Sequence, residues 1–388
     1  MNAPGAKPLT ILFIIRYFHP YIGGMEKKTL GLASKLMQRG VPVEVVTSRF
    51  YGTWPQHELV KGVSVCRLPS PRIKIIGAFV FLISLFTYLL KNRSRIAIIQ
   101  TFQVGYCSAV AILIGRILSK PTLLNLACSG RGGDIYRHTR TPWGRVFLLL
   151  CGYASRIVIL NREMLQELQT ISYNPHRVVY IPNGVDLTIY CESYERESLR
   201  KQLGITEEKV ILYTGRLARQ KGLEFLIHAF ASLSVVIPVK LYIMGSGREL
   251  PRLKRLVKQY DAEHRIKILP AVEEVVTYLQ IADIFVMPSL YEGLSNSILE
   301  AMACAVPVVA TRVEGNVGLI EDGVTGVLVS RDHHQNLTAA LTFLLEHPDK
   351  ARELGLKAKQ AVHEKYDLRI VAEQYQALYS TVTQKIAR

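Results

Sequence analysis

Glu292 and Glu300 stand on either side of a run of small polar residues in the second half of the chain. Residues 284–289 before them predict a buried strand that a proline stops, and an apolar helix is predicted to begin near Glu300. Such a strand, polar loop and helix N-terminus offer backbone N–H groups and the positive end of a helix dipole to an anion. Ser297 and Glu300 also have capping-box spacing, a structural alternative for Glu300 that leaves Glu292 unexplained. Carboxylates on both sides of an anion-binding loop predict a ligand with phosphates and hydroxyls, such as a nucleotide sugar.

A second loop carries the cations that a diphosphate requires. Residues 210–214 predict a strand, which is followed by Gly215, Arg216 and then Lys221, before a helix that is predicted to begin at Leu223. A planar guanidinium and an ammonium can share one diphosphate at such a strand end. The loop lacks the GxxxxGK[ST] order of a Walker motif, and taken alone it would more simply be a basic surface loop.

A third loop, with Gly245 and Gly247, follows a strand predicted at residues 240–244. Its glycines would let a flat ring approach the backbone closely. All three loops follow strands, and the carboxyl ends of parallel strands lie at one edge of an open sheet. We therefore expect a single ligand site in this half of the chain.

The first half opens with a β-loop-α-β pattern. Apolar runs at residues 11–15 and 43–47 flank a helix predicted over residues 25–39. Gly24 belongs to a glycine pair after the first run, where backbone could approach a phosphate or sugar. A plain tight turn is an equal alternative, because the GxGxxG spacing is missing.

A glycine-rich loop at residues 129–134 follows another predicted strand. Its Arg131 and Asp134 are candidate contacts to an acceptor substrate, since loops at the carboxyl ends of strands line the crevice of an open α/β sheet. A solvated surface loop explains the same residues equally well.

Two βα series would position these loops. A chain of 388 residues favours two domains, and composition and charge change near residues 183–200. The pattern predicts two doubly wound α/β domains. The remaining strands are expected at residues 63–68, 96–100, 122–126, 157–160, 178–181, 266–269, 307–311 and 326–329.

Charge is divided unevenly along the chain. Residues 1–190 hold 23 Lys or Arg against 7 Asp or Glu, whereas residues 191–388 hold 25 against 24. A basic half can meet nucleic acid, an anionic membrane or a phosphorylated partner. Without zinc-finger spacing, an RRM signature or a basic stripe interleaved with aromatic residues, we expect no nucleic acid and favour a membrane surface. The six cysteines form no CxxC pair and residues 1–8 lack a signal-peptide hydrophobic region, so we expect a cytoplasmic protein.

Residues 75–90 carry no charge and have basic residues on both flanks. A membrane span needs about 20 apolar residues, and a span here would place two parts of one sheet on opposite sides of a membrane. We therefore exclude a span. An interfacial helix held by its basic flanks and a buried core helix both remain open.

Taken together, these motifs resemble the retaining glycosyltransferases of family 4, and the likeness spans about residues 10–385. The resemblance implies the GT-B fold, which is α/β with two Rossmann-like doubly wound domains facing a central cleft. Residues 1–185 would bind the acceptor, residues 186–365 the nucleotide sugar, and residues 366–388 would form a helix that crosses back to the first domain. The motifs are Gly215-Arg216 with Lys221-Gly222, the Glu292-x7-Glu300 spacing, Ile-Pro-Asn-Gly-Val-Asp at 181–186 and Pro-Val-Val-Ala-Thr at 307–311.

The resemblance also implies a role for each site residue. Arg216 and Lys221 would bind the diphosphate and stabilise charge on the leaving group. Glu292, the third catalytic candidate, would contact hydroxyls of the donor sugar, and Glu300 would contact those of the ribose. The donor would further lie against loop residues at Gly24, Gly215, Gly245, Gly247, Gly293, Leu294 and Ser295.

Two departures from the family pattern affect the chemistry. Many members carry a histidine near the strand end at residues 125–130, whereas this chain has a glycine-rich loop that ends in Asp134. The resemblance therefore names no general base, and it implies front-face transfer in which the leaving phosphate takes the acceptor's proton. The chain also lacks an Asp-x-Asp motif, which agrees with an enzyme that needs no metal and no cofactor.

We therefore expect a retaining hexosyltransferase in polysaccharide or lipopolysaccharide biosynthesis. Its donor would be a nucleotide sugar, UDP-linked because such donors are frequent in the family, and its acceptor a lipid-linked or cell-surface glycan. It would work in the cytoplasm, peripherally on the inner face of the cell membrane. The alternatives are a GDP-mannose-dependent mannosyltransferase and a non-catalytic protein that binds sugar nucleotides or glycans.

Overall fold

The chain folds into two compact units. The first unit comprises the chain up to Pro182 together with the segment from Leu368 onward, and the second unit is Asn183–Asp367. Residues 1–8, on which the signal-peptide prediction rests, lie outside the described residues, as do residues 192–194 of the predicted linker. The computed structural model describes residues 9–21, 23–171, 173–191, 195–205, 207–272 and 274–384.

The first unit contains an eight-stranded sheet. Apart from an edge hairpin, its strands are nearly continuous apolar runs, as strands covered on both faces require. They lie in the order β3-β4-β2-β1-β5-β6-β7-β8 and are parallel, except that β3 pairs antiparallel with β4. The strands are β1 (Thr10–Ile14), β2 (Val43–Arg49), β3 (His57–Val60), β4 (Val63–Pro69), β5 (Ile96–Phe102), β6 (Thr122–Asn125), β7 (Arg156–Ile159) and β8 (Val178–Tyr180).

Helices cover both faces of this sheet. The period-2 alternation of β1 sends Phe13 into the core shared with α1, while Leu12 and Ile14 enter the core shared with α2 and α3. The helices are α1 (Gly24–Gln38), α2 (Lys74–Lys91), α3 (Tyr106–Ile117), α4 (Asp134–Thr139), α5 (Pro142–Cys151) and α6 (Arg162–Thr170).

The second unit is built around a six-stranded parallel sheet. Its order, β11-β10-β9-β12-β13-β14, is the 3-2-1-4-5-6 order of the doubly wound dinucleotide-binding fold. Its elements are α7 (Arg196–Gln202), β9 (Lys209–Thr214), α8 (Leu223–Ala231), β10 (Val239–Met244), α9 (Leu250–Gln259), β11 (Ile266–Leu269), α10 (Val276–Ile281), β12 (Ile284–Met287), α11 (Asn296–Ala303), β13 (Val308–Thr311), α12 (Glu314–Val317), β14 (Val327–Val329), α13 (His334–Glu346) and α14 (Pro348–Lys365).

The last described helix, α15 (Leu368–Gln384), packs in the first unit. It joins the core against α1, and Tyr375 and Tyr379 are fully or nearly fully buried there. The Tyr379 hydroxyl donates to Gln100 Oε1 at 2.6 Å, and Tyr375 accepts from the Asn125 side chain. Two buried hydrogen bonds therefore fasten the end of the chain to β5 and β6.

All of the strands predicted from the sequence are present, with ends within two residues of the predicted ones. The hairpin strand β3 was not predicted. It joins β4 through Lys61 and Gly62, whose φ angles of 48° and 81° match a two-residue turn with both central residues left-handed. Two of the four residues of β3 are exposed, among them Leu59 at 73%, and the strand lacks the apolar run that predicts the other strands.

Candidate active site

Three loops of the second unit meet at the carboxyl edge of its sheet. They follow β10, β9 and β12, which are neighbours in the sheet. The Leu217 N–H donates to the Ser246 carbonyl at 2.8 Å, and the Gln220 side chain donates to the Tyr291 carbonyl at 3.0 Å. Hydrogen bonds between loops therefore fix the cation-bearing loop against both of its neighbours.

Lys221 and Glu292 form an ion pair at the centre of this edge. The Lys221 side chain is 13% exposed and that of Glu292 is 8% exposed, and the Ser289 hydroxyl donates to Glu292 Oε1 at 2.7 Å. Because both side chains are largely shielded from water, each of their charges interacts more strongly with a nearby charge than the same group on the surface would. Since an ammonium has three donors, Lys221 can serve a phosphate oxygen while it stays with Glu292.

Arg216 lies on the same loop with its side chain exposed. The buried hydroxyl of Tyr213 donates to the Arg216 carbonyl at 3.0 Å and fixes its backbone. Burial raises the pKa of Tyr213, and the negative charge of Glu292 raises it further, so the phenol stays a neutral donor. Arg216 thus has a fixed backbone at the sheet edge, and its exposed side chain offers forked donors to a ligand.

Gly245 and Gly247 are required by the packing of the loops. A Cβ at Gly245 would lie 1.8 Å from the carbonyl oxygen of Gly215, and a Cβ at Gly247 would lie 2.1 Å from that of Leu217. Real Cβ atoms do not approach backbone oxygen so closely. The glycines therefore permit close contact between two backbone loops, while their contact with a base stays a prediction.

The Glu292–Glu300 loop ends at a helix cap in a different register from the predicted one. The Ser295 hydroxyl accepts the Ile298 N–H at 3.4 Å, and α11 begins at Asn296. Glu300 is then the fifth residue of the helix, beyond the reach of a reciprocal cap. The capping-box interpretation of Ser297 and Glu300 is wrong, and it no longer accounts for Glu300.

Glu300 instead pairs with Tyr190, which sequence reasoning missed. The Glu300 side chain is 9% exposed and hydrogen-bonds the Tyr190 phenol, whose pKa is raised by burial and by the charge of Glu300. A neutral phenol can only donate its proton to a carboxylate, so Tyr190 sets the orientation of Glu300. Tyr190 lies four residues beyond the 181–186 motif, and nothing in its own spacing pointed to it.

The 181–186 motif itself supports the loop. The amide of Asn183, which is 4% exposed, donates to the Leu294 carbonyl at 3.0 Å and to Asn296 Oδ1 at 2.7 Å. Gly293, Leu294 and Ser295 are all buried. These contacts show that the predicted turn also shapes the loop between the two glutamates.

The remaining predicted residues belong to the first unit. Gly24 is the first residue of α1, and Arg131 is exposed in a single helical turn. Asp134 is 2% exposed, and its carboxylate accepts the Ala127 N–H at 2.6 Å. So deeply buried a carboxylate holds the glycine-rich loop from within, and the acceptor contacts of Asp134 and Arg131 stay predictions.

A second, half-buried acid holds the same loop. Glu167 Oε1 accepts the Gly130 N–H at 2.7 Å. Burial raises the pKa of Asp134 to about 6 and that of Glu167 to about 7. Both carboxyl groups therefore change protonation between about pH 6 and 7, above the usual range of a carboxyl group.

Comparison with known proteins agrees with this geometry. Glycosyltransferase Family 4 matches residues 22–189, and Glycosyl transferases group 1 matches residues 195–361. The chain is 25% identical to an uncharacterized glycosyltransferase of Methanocaldococcus jannaschii over 95% of its own length and 96% of the relative's. It is 28% identical to the D-inositol 3-phosphate glycosyltransferase of Kineococcus radiotolerans, over 87% and 85%.

A solved structure shares the fold over nearly the whole chain. Anabaena HepE in complex with UDP-glucose superposes with a TM-score of 0.80 and 20% identity, over 96% of this chain and 100% of that one. The predicted fold class and the predicted family are both confirmed. The chain belongs to the family 4 glycosyltransferases and is a glycosyltransferase with the GT-B fold.

Proposed function

We propose that this enzyme transfers a hexosyl unit, with retention, from a UDP-linked sugar to a lipid-linked or cell-surface glycan. The observation that carries the proposal is the buried Lys221–Glu292 pair beside the exposed Arg216 at one sheet edge. Two cations and a carboxylate at the end of neighbouring strands suit a diphosphate that bears a sugar.

In the proposed reaction, the bond between the sugar's anomeric carbon and the β-phosphate oxygen breaks. Arg216 and Lys221 stabilise the negative charge that develops on that oxygen, which is the role a divalent ion has in metal-dependent transfer. The acceptor oxygen bonds to the anomeric carbon on the same face, and its proton passes to the leaving phosphate oxygen. This chain's residues thus need supply no separate base and no cofactor.

The two glutamates act on hydroxyl groups in this proposal. Glu292 accepts from the donor sugar while it keeps Lys221 in place, and Glu300 accepts from the ribose. Tyr190 positions Glu300 without touching the substrate. The UDP-glucose bound by Anabaena HepE supports a UDP-linked donor.

A panel of donors tests the proposal. The protein is incubated with UDP-glucose, UDP-galactose, UDP-N-acetylglucosamine and GDP-mannose, and nucleotide release and thermal shift are followed for each. Release from a UDP-sugar is the expected result, and release from GDP-mannose alone would favour the mannosyltransferase. Donor binding without turnover, unchanged by Lys221→Ala, would favour the non-catalytic alternative, and no response to any donor would contradict the transferase proposal.

Helix α2 supports a peripheral membrane location on the cytoplasmic face. Phe81, Leu85 and Leu89 pack into the core, which agrees with the core interpretation of this segment. Ile75, Phe79 and Ile83, at intervals of four residues on the other side, are 85%, 64% and 51% exposed. Within the described part of the chain, no helix is long and apolar enough to cross a membrane. The helix therefore has one face for the core and one apolar face for an interface.

The occupant that we propose for this face is an anionic lipid surface. Exposed Arg72, Lys91 and Arg93 flank the helix and complement anionic headgroups, in a half of the chain that is strongly basic.

Vesicle flotation tests the proposal that α2 binds an anionic lipid surface. The double variant Phe79→Ser with Ile83→Ser should bind phosphatidylglycerol vesicles at least about ten-fold more weakly, because each substitution removes a large apolar surface. Leu356→Ser, at a site 45% exposed in the other unit, is the control. Wild-type protein that fails to bind these vesicles at low salt would refute the membrane proposal.

A further inference from the structure

A basic cleft lies at the amino edge of the first unit's sheet. Thr122 begins β6 and Arg156 begins β7, while Arg177 comes directly before β8, and all three line a cavity of about 390 Å³. Gly24 and the loop at residues 130–132 follow strands, so they lie at the opposite, carboxyl edge of the same sheet. The cleft is therefore separate from the residues predicted to meet substrate.

Among the described residues that line this cleft, four are cations and none carries a carboxylate. They are Arg116, Lys120, Arg156 and Arg177, and the last three are half-buried. Within the described residues, none of the four forms an ion pair with an acidic side chain within 4.0 Å. Like charges gathered in one partly dehydrated cavity repel each other, and an anion is what relieves that repulsion.

Neutral groups hold the arginines in place. Arg177 donates to the Gly152 carbonyl at 3.3 Å and Arg156 to the Ser155 carbonyl at 2.7 Å, while the Arg116 guanidinium stacks 4.8 Å from the centre of the Tyr153 ring. Each guanidinium keeps further N–H donors after these contacts. Forked donors of this kind match the oxygens of a phosphate.

We propose that this cleft binds a phosphate group. Its volume lies in the range of small-molecule sites and admits a phosphate together with the alcohol that it esterifies. The phosphate can belong to a lipid headgroup or to a soluble phosphate ester. Ile117, which follows the lining residue Arg116 in the chain, is 69% exposed, and this apolar side chain favours the lipid. The binding of phosphate does not depend on the transferase activity.

The test compares two double variants of equal charge. Arg156→Gln with Arg177→Gln removes two cations from the cleft, and Arg255→Gln with Lys258→Gln removes two exposed cations from α9 in the other unit. Binding is measured to phosphatidylglycerol vesicles in phosphatidylcholine and, by calorimetry, to glycerol 3-phosphate. At about five-fold per cation, the cleft variant should bind about 25-fold more weakly than wild type and the control only slightly more weakly.

Each outcome decides the proposal. A loss specific to the cleft variant supports it: loss with vesicles alone identifies the lipid source, and loss with glycerol 3-phosphate the soluble one. Equal losses in both double variants, or cleft-variant binding as tight as wild type for both probes, overturn it. Should the cleft variant fail to fold by circular dichroism, Lys120→Gln should lose about five-fold by itself, and an unchanged affinity would equally overturn the proposal.

Discussion

Replacing Lys221 with alanine should impair both catalysis and stability, for two separable reasons. Loss of the ammonium removes charge stabilisation from the leaving phosphate, and loss of one such preorganised group costs about 10²–10³ in kcat. It also takes the Lys221 ammonium away from the carboxylate of Glu292, whose side chain is 8% exposed. Breaking a fully buried pair costs about 3–5 kcal/mol. Because the Ser289 hydroxyl still donates to Glu292, we expect Lys221→Ala to lower the free energy of unfolding by a smaller amount, about 2 kcal/mol.

A second substitution separates the two effects. In Lys221→Ala with Glu292→Gln, the buried negative charge is gone and the glutamine oxygen still accepts from Ser289. The double variant should therefore regain most of the lost stability in urea unfolding, while its kcat stays about 10²-fold or more below wild type. Glu292→Gln alone gives the share of activity that the sugar contact contributes.

Two results would refute this reasoning. If Lys221→Ala unfolds at the same urea concentration as wild type, the ion pair does not carry the stability that its burial implies. If the double variant releases nucleotide at more than a tenth of the wild-type rate, the ammonium does not stabilise the leaving group. Wild-type Arg216 is kept in every variant, so that the diphosphate retains one cation.

Three further substitutions test other contacts of the fold. Tyr190→Phe removes the phenol that donates a hydrogen bond to Glu300. Because such a bond contributes about 1 kcal/mol, the KM for the nucleotide sugar should rise about five-fold with kcat little changed. A fall in kcat alone would contradict a positioning role. Ser295→Ala removes the cap of α11 and should cost about 1 kcal/mol in urea unfolding, with Ser297→Ala as the control that costs less. Because the pKa of Asp134 is raised, the folded protein keeps a proton that the unfolded chain releases near pH 4. The stability that protonated Asp134 contributes is therefore complete below pH 4 and is lost as the pH rises through about 6. Asp134→Asn should remove that loss, on the order of 3 kcal/mol, from unfolding free energies measured between pH 4 and 7, and an unchanged pH profile would exclude this account.

The sequence was sufficient for the family and for every strand except the edge strand β3. Apolar runs such as those of β9 and β12 are local patterns, and each predicted strand lies within two residues of its expected ends. The convergence of the three loops also followed from the sequence, because parallel strands bring their carboxyl ends to one edge. Arg216, Lys221 and Glu292 could thus be placed near one another before any distance was known.

Only the tertiary structure decided which side chains pair. The ion pair of Lys221 with Glu292 joins residues 71 positions apart, and Asn183 reaches Leu294 across 111. No local pattern specifies such contacts, since they depend on how strands are ordered in the sheet and how loops pack. The cap at Ser295 was misplaced by two residues because serines at 295 and 297 both suit a helix start, and the hydrogen bond to Ile298 selects one.

Burial was the other property that the sequence left open. Asp134 in a glycine-rich loop has the composition of an exposed residue, yet it is enclosed beneath that loop and its pKa rises as a result. Residues 75–90 fitted both a core and an interfacial helix, and the fold buries one face of α2 and leaves an apolar face exposed, because only one side of the helix can pack on the sheet. Local sequence determined which elements form, whereas the packing of those elements decided which of their charges and apolar faces meet solvent.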